Sequence, residues 1–326
     1  MKNLKTKLLG SIAGLVTLFS PGLAQAQAWP SKPVRVIVPV TAGGLSDVIA
    51  RAMSAELSKI WGQTVVVENK PGAGHIIATE FVVKSPSDGY TVLMTDRAMS
   101  ANPFLYKKLP YDASKDLTPV ANMILITSVL LAHPGFAPRT LQELVAAAKD
   151  KPGTINYGSF GKGTVTHVDM EAFAAKVGIK LVHIPYKGIA DVLPALASGQ
   201  IQIALAGIPP ALTLIRSGAL RTVALAGAPR SRLLPDTPTS TEAGFPGLLS
   251  ESWTGFFVPS ATPAAVVGKF GADMGRVIDM ADFRTKYITG VGLEPLFLGP
   301  ENFAEYLRNE RASMVERMKG LDVQLD

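Results

Sequence analysis

A chain of 326 residues, 47% hydrophobic and 18% charged, has apolar material for two sizeable cores and is not a disordered sequence. Its formal net charge is +6 with no run of lysines and arginines, so it carries no nucleic-acid footprint. The absence of cysteine excludes disulfides and thiolate metal sites.

In chain order, the first segment is "MKNLKTKLLGSIAGLVTLFSPGLAQAQA". It joins Lys2, Lys5 and Lys7 to an apolar run from Leu8 to Phe19, followed by Ala24, Ala26 and Ala28. That layout reads as a secretory signal peptide cut after Ala26 or Ala28. The run is shorter than the ~20 residues of a spanning helix. Cleavage removes three lysines and no acid, leaving a net charge of +3. A mature protein in a bacterial periplasm, free of membrane spans, is expected.

The next stretch alternates strands and helices. "VRVIVPV" from Val34 reads as a strand, "TAGGLSD" as a loop, and "DVIARAMSAELSKIW" as a helix with Val48, Ile49, Ala52, Met53 and Leu57 on one face. "TVVVEN" is a second strand, "KPGAG" a turn, "HIIATEFVVK" a helix and "GYTVLMTD" a third strand. The order then repeats: strand "INYGSF", loop "GKGT", helix "VTHVDMEAFAAKVG", strand "KLVHIPY", turn "KGIA", helix "DVLPALASG" and strand "IQIALAG". "TVALAGAPR" adds a strand, and Pro300 to Met318 reads as an amphipathic helix.

Apolar strands alternating with helices imply largely parallel sheets covered on both faces. Two such blocks imply two α/β domains. Crossings near "ILITSVLLAHPG" and "ESWTGFFVPS" give one domain from residues 29–131 plus 252–326 and a second from 132–251. Loops at the carboxyl ends of the strands then face a cleft between the domains.

The glycine loops fail the familiar catalytic patterns. "GSFGKGT" is no P-loop, because Lys162 precedes a glycine where that motif continues with Ser or Thr. Ser159 has Gly158 directly before it, so the nucleophile-elbow spacing also fails. His75, His133, His167 and His183 form no i, i+4 pair, and no metal site is expected. His167 and His183 read as packed structural residues, while His75 opens a helix within reach of the cleft. No cofactor and no catalytic residue is expected. The main rival, an exported α/β hydrolase using Ser159 or His167, lacks a recognisable acid, base and nucleophile set.

What remains is backbone chemistry. Loops at Gly43-Gly44, Gly72-Ala73-Gly74 and Gly161-Lys162-Gly163 each precede a helix. Free amides at helix starts, with the helix dipole behind them, suit a carboxylate. Glycines also permit close approach of a ligand, or only a tight turn. The hydroxyls of Ser46, Ser159 and Thr164 lie nearby in sequence.

"WPSKPVRVIVPVTAGGLSDVIAR", "VVVENKPGAG", "SPSDGYTVLM", "YGSFGKGTVTH" and "IPYKGIADVLPALASGQIQIAL" together resemble the Bug-type receptors of tripartite tricarboxylate transporters. The resemblance runs from Trp29 to the C-terminus. It implies a two-domain periplasmic binding protein, type II-like, with two parallel or mixed sheets, flanking helices and a closing hinge. It implies capture of an organic carboxylate, either a di- or tricarboxylate or an aromatic acid, and delivery to a membrane permease. A monomer is expected, with a membrane sensor kinase as an alternative partner.

Carried onto this chain, the resemblance assigns the first ligand loop to Thr41, Ala42, Gly43, Gly44, Leu45, Ser46 and Asp47. The second loop is Ser159, Phe160, Gly161, Gly163 and Thr164. Tyr186, Lys187, Ala204 and Gly207 complete the wall. In the family's pattern the run after "NKPGAG" continues with glycine and isoleucine, whereas here it is His75-Ile76-Ile77. His75 is therefore a candidate donor for a second carboxylate, and Phe160 and Leu45 suit an apolar ligand body. Asp47 can cap its own helix, pair with Arg51 one turn on, or hold a water or amino group of the ligand, and its replacement by alanine is expected to alter ligand choice more than stability.

Overall fold

Strand β1 (Val34–Val38) is apolar at four of five positions, and Val34, Val36, Ile37 and Val38 are fully buried. A strand without a polar face needs covering on both sides, which places it inside a helix-flanked sheet. The computed structural model describes residues 29–226, 230–246 and 251–319. The signal-peptide reading of residues 1–28 lies outside the described residues.

The other strands are β2 (Val65–Asn69), β3 (Thr91–Asp96), β4 (Leu117–Ile126), β5 (Ser128–Ala132), β6 (Asn156–Ser159), β7 (Val182–Pro185), β8 (Ile203–Gly207), β9 (Arg221–Leu225), β10 (Ser252–Pro259) and β11 (Glu294–Leu298). The helices in the first part are α1 (Leu45–Trp61), α2 (Ile76–Val83), α3 (Ala98–Leu105) and α4 (Ala113–Asp116). In the middle are α5 (Leu141–Asp150), α6 (Val165–Val177), α7 (Ile189–Ala197) and α8 (Ile208–Arg216). The last are α9 (Ala264–Asp279), α10 (Ala281–Tyr287) and α11 (Pro300–Met318).

These strands form two mixed sheets, ordered β11-β4-β10-β3-β1-β2 and β7-β6-β8-β5-β9. In the first, β1 runs parallel to β2 and β3, while β10 is antiparallel to β3 and β4. In the second, β6 runs parallel to β7 and β8, while β5 is antiparallel to β8 and β9. Each sheet is packed on both faces. Ile49, Met53 and Leu57 of α1 meet Phe270 and Met274 of α9 over one face of the first sheet. Trp253 and Phe257 of β10 meet Phe303 of α11 on the other. Each such side chain contributes roughly 1.5–3 kcal/mol by leaving water.

Local signals in the sequence explain the helix ends. Gly62 and Gly178 close α1 and α6 in the left-handed conformation, with φ of 61° and 68°. The α1 face differs from the expected one at a single position. Ile49, Ala52, Met53 and Leu57 are buried, but Val48 is 44% exposed. Its neighbour Ile49 holds the inward position, and adjacent residues on a helix point about 100° apart.

The chain passes from the first sheet to the second at Thr127, the single residue between β4 and β5. The expected boundary kept residues up to 131 with the first part. Strand β5 instead pairs with β8, from Ser128 opposite Gly207 to Ala132 opposite Ile203. The stretch from Ile124 to Ala132 is apolar apart from Thr127 and Ser128, so the break has almost no sequence signal.

Helices α3 and α11 reach from the first sheet onto α6 of the second. Ala101 and Leu105 of α3, Val168 of α6, and Met314 and Met318 of α11 form one buried cluster. Beside it, buried Arg97 donates from Nη1 to both oxygens of buried Asp169, at 3.0 and 2.9 Å. Glu310 of α11 lies 3.4 Å from Arg97 Nε and accepts from Trp253 Nε1 at 2.7 Å. The two halves are thus joined by a desolvated ion network as well as by apolar contact.

Candidate functional site

Parallel strands bring their following loops to one edge of a sheet. The loops after β1, β2 and β3 therefore share an edge of the first sheet, and the loop after β6 and the end of β8 share an edge of the second. Between the two edges is a cavity of about 390 Å³. Gly74, His75, Asp96, Asn102, Leu105 and Tyr106 line it from the first half. Phe160, Lys162, Gly163, Thr164, Val165, Thr166 and Gly207 line it from the second. Ile126, Ser128 and Ser252, at the crossings between sheets, complete it.

The loop after β6 is held by its own hydrogen bonds. The Phe160 amide donates to Thr166 Oγ1 at 3.1 Å, and Thr164 Oγ1 donates to the Gly161 carbonyl at 2.7 Å. The Gly163 amide donates to His167 Nδ1 at 3.1 Å. Gly161 and Gly163 have φ of 127° and 78°, a region that side chains with a Cβ avoid. The hydroxyls of Thr164 and Thr166 thus fix the loop's shape. Helix α6 begins at Thr164 without a side-chain cap, so its first-turn amides and dipole are left for another acceptor. Lys162 is exposed at the cavity and has no ion pair among the described residues.

Behind this loop lies a packed polar layer. Ser159 is fully buried, with Oγ 2.6 Å from His183 Nε2. The His183 ring stacks on His167 with centroids 4.0 Å apart and on Tyr157 at 5.0 Å. Burial first, then the neighbouring His183 and Lys162, pulls the His167 pKa from 6.5 to about 4. A neutral His167 is what lets Nδ1 accept the Gly163 proton. Burial is also the main cause that lowers His183. The Ser159–His183 contact resembles a nucleophile and base, but a serine sealed from solvent meets no substrate.

The first loop uses its own carboxylate. Asp47 is 2% exposed; its Oδ2 accepts from the Gly43 amide at 2.9 Å and from Arg51 Nε at 3.0 Å. Its Oδ1 accepts from Asn69 Nδ2 at 2.9 Å and lies 3.0 Å from Arg51 Nη2. Hydrogen bonding from Arg51 leads the causes that lower its pKa to about 2. Thr41 to Leu45 are exposed and do not line the cavity.

His75 comes from the turn after β2 and Asp96 from the end of β3. His75 Nδ1 lies 3.3 Å from Asp96 Oδ1, which also accepts from the Ala98 amide at 2.9 Å. Ala73 and His75 have φ of 47° and 75°, strain of roughly 1–3 kcal/mol each at the cavity wall. Burial alone lowers the His75 pKa, but the charge and hydrogen bond of Asp96 outweigh it and hold the imidazole above its ordinary value.

Of the residues expected at the site, the structure brings His75, Phe160, Gly163, Thr164 and Gly207 to the cavity wall. Ser159 and Ala204 are fully buried behind it. Gly161 shapes the loop, and the Tyr186 amide donates to the Ser159 carbonyl at 3.0 Å. Lys187 is exposed and does not line the cavity. Sequence reading missed Asp96 at the end of β3, and it missed Asn102 and Tyr106 because Pro103 inside α3 disguised that helix. An aspartate closing the apolar strand "GYTVLMTD" was the available signal. Among the described residues, no group of three or more His, Asp or Glu is placed to hold a metal.

The family described as "Tripartite tricarboxylate transporter family receptor" matches residues 49–320. A UPF0065 protein of Bordetella pertussis is 35% identical over 304 residues, covering 93% of this chain and 94% of its own. A structure of an R. palustris protein with adipate superposes with a TM-score of 0.79 at 28% identity, covering 91% of this chain and all of that one. MatC from Rhodopseudomonas palustris with bound malate gives a TM-score of 0.76 at 30% identity, covering 89% and 99%.

Proposed function

The chain belongs to the tripartite tricarboxylate transporter receptor family, whose members are periplasmic substrate-binding receptors and not enzymes; from that premise we propose that it captures an organic carboxylate in the cavity between its two sheets and delivers it to the family's membrane permease. The observation that carries this reading is the uncapped start of α6, with Lys162 and Gly163, opening onto the cavity between the sheets. A carboxylate placed there completes the helix cap and meets a positive dipole and a free ammonium group. Hydrogen bonds to a charged acceptor contribute ~1.5–3 kcal/mol each, and the dipole adds ~0.3–1 kcal/mol or more. Leu105, Ile126 and Phe160 offer an apolar wall to the ligand body, aliphatic or aromatic.

The bodies that close on the ligand are the two sheets with their helices, and Thr127 between β4 and β5 acts as a hinge. Closure brings the rim loop from Thr41 to Ser46 over the cleft, where its remaining amides meet the ligand. A dry, closed cleft strengthens each of these charge contacts.

A thermal-shift screen of the mature protein against organic carboxylates tests this. A ligand at one hundred times its dissociation constant stabilises by ~2.7 kcal/mol. Lys162→Ala is expected to weaken the best ligand about tenfold while leaving the ligand-free melting temperature unchanged. A folded, ligand-free protein that no carboxylate stabilises would contradict the proposal.

A further inference from the structure

Asp96 is an anion in the wall of a cavity read above as built for anions. Its Oδ1 is saturated by His75 Nδ1 and the Ala98 amide. Its Oδ2 has no partner among the described residues and is not sealed from solvent. Because the residue lines the cavity, that free oxygen is offered to whatever occupies it.

The charged and titratable groups around this oxygen come from every wall. His75 approaches from the turn after β2, Tyr106 from α3 and Lys162 from the loop after β6. Arg97, next in sequence, helps to hold Asp96 ionised through its charge but gives it no hydrogen bond, because its guanidinium is committed to Asp169 and Glu310. The cavity is therefore polarised. One wall carries Lys162 and the α6 amides; the opposite wall carries Asp96 Oδ2, which accepts and cannot donate, beside a His75 ring whose Nδ1 is committed to Asp96 Oδ1.

We infer that this receptor selects a carboxylate whose far end carries a hydrogen-bond-donating nitrogen, a carboxamide or an amine, over the dicarboxylate of the same length, with Asp96 the specificity-determining residue and His75 its positioning partner. The inference rests on the carboxylate-receptor reading and sharpens it. A second ionised carboxylate seated against Asp96 Oδ2 would receive no proton from that oxygen, and like charges at contact reject the wrong ligand. An N–H group fills the vacant lone pair instead. A site built to hydrogen-bond one functional group discriminates strongly against its analogue. The adipate and malate of the structural relatives are the acids against which the contrast is drawn.

The test is isothermal calorimetry at fixed pH on the full mature chain. Succinate, glutarate, adipate and benzene-1,4-dicarboxylate are each compared with their monoamide and with the ω-amino acid of the same length. The inference predicts that the tightest nitrogen-ended ligand exceeds its dicarboxylate counterpart at least tenfold. Asp96→Asn, which supplies a donor at the same place, should bring that ratio to within twofold or reverse it. If Asp96→Asn does not fold, the wild-type ratio decides alone. A dicarboxylate, or a monocarboxylate lacking nitrogen, that binds the wild type at least as tightly as every nitrogen-ended ligand overturns the inference and leaves the receptor reading intact. If no carboxylate of any kind binds, the receptor reading falls and this inference falls with it.

Discussion

Asp47 stands where a ligand-discriminating acid was expected, yet all of its acceptor capacity is spent inside the protein. The Gly43 amide, Asn69 and Arg51 surround it. The expectation that Asp47 governs ligand choice therefore shifts to one about stability. Asp47→Asn should cost ~1–3 kcal/mol at neutral pH, the range for leaving buried partners of a charged group poorly paired. Its pKa is about 2 in the folded chain against 3.8 ordinarily. The stabilisation is then complete above pH 4 and is lost as pH falls toward 2. Urea unfolding of wild type and variant should show a gap at pH 7 that narrows below pH 4. A gap that is constant with pH would count against the carboxylate as its source. The roles of Asp47 and Asp96 could not be told apart in the sequence. Asp47 follows β1 through a loop and Asp96 closes β3, and only packing shows which one keeps a free oxygen.

At the level of elements, periodicity made the sheets and most helices legible. Fully apolar strands such as β1 and β3 announce burial on both faces, and Gly178 announces the end of α6. The loop from Phe160 to Thr164 was legible as part of the candidate site because two glycines precede a helix, and most of it lines the cavity. Helix α3 was not legible, since Pro103 breaks the expected pattern inside it. The β4–β5 break was not legible either, because one threonine separates two apolar strands. Two glycines of α6 allow shape and stability to be separated. Gly163 and Gly178 both have positive φ, at its entry and exit, and a Cβ at Gly178 meets nothing within 4 Å. Alanine at either position should cost ~1–2 kcal/mol in stability. Gly163→Ala should also weaken carboxylate binding at least tenfold, while Gly178→Ala should leave affinity unchanged. Equal affinities for the two variants would show that the loop's geometry is not part of the site.

At the level of the whole molecule, the two sheets are joined by a one-residue crossing at Thr127, a buried cluster around Leu105, Val168 and Met314, and the Arg97–Asp169 pair. The cavity lies beside these contacts, with Lys162 on one half and the Asp96–His75 pair on the other. The account's central claim is that a carboxylate joins these halves from inside the cavity. A crystal structure of the mature protein with the tightest carboxylate from the screen tests it most directly. The account predicts a carboxylate within hydrogen-bond distance of Lys162 and the first-turn amides of α6, and the ligand's other end toward Asp96. A ligand seated outside the cavity, or with its carboxylate turned to Asp96, would contradict it.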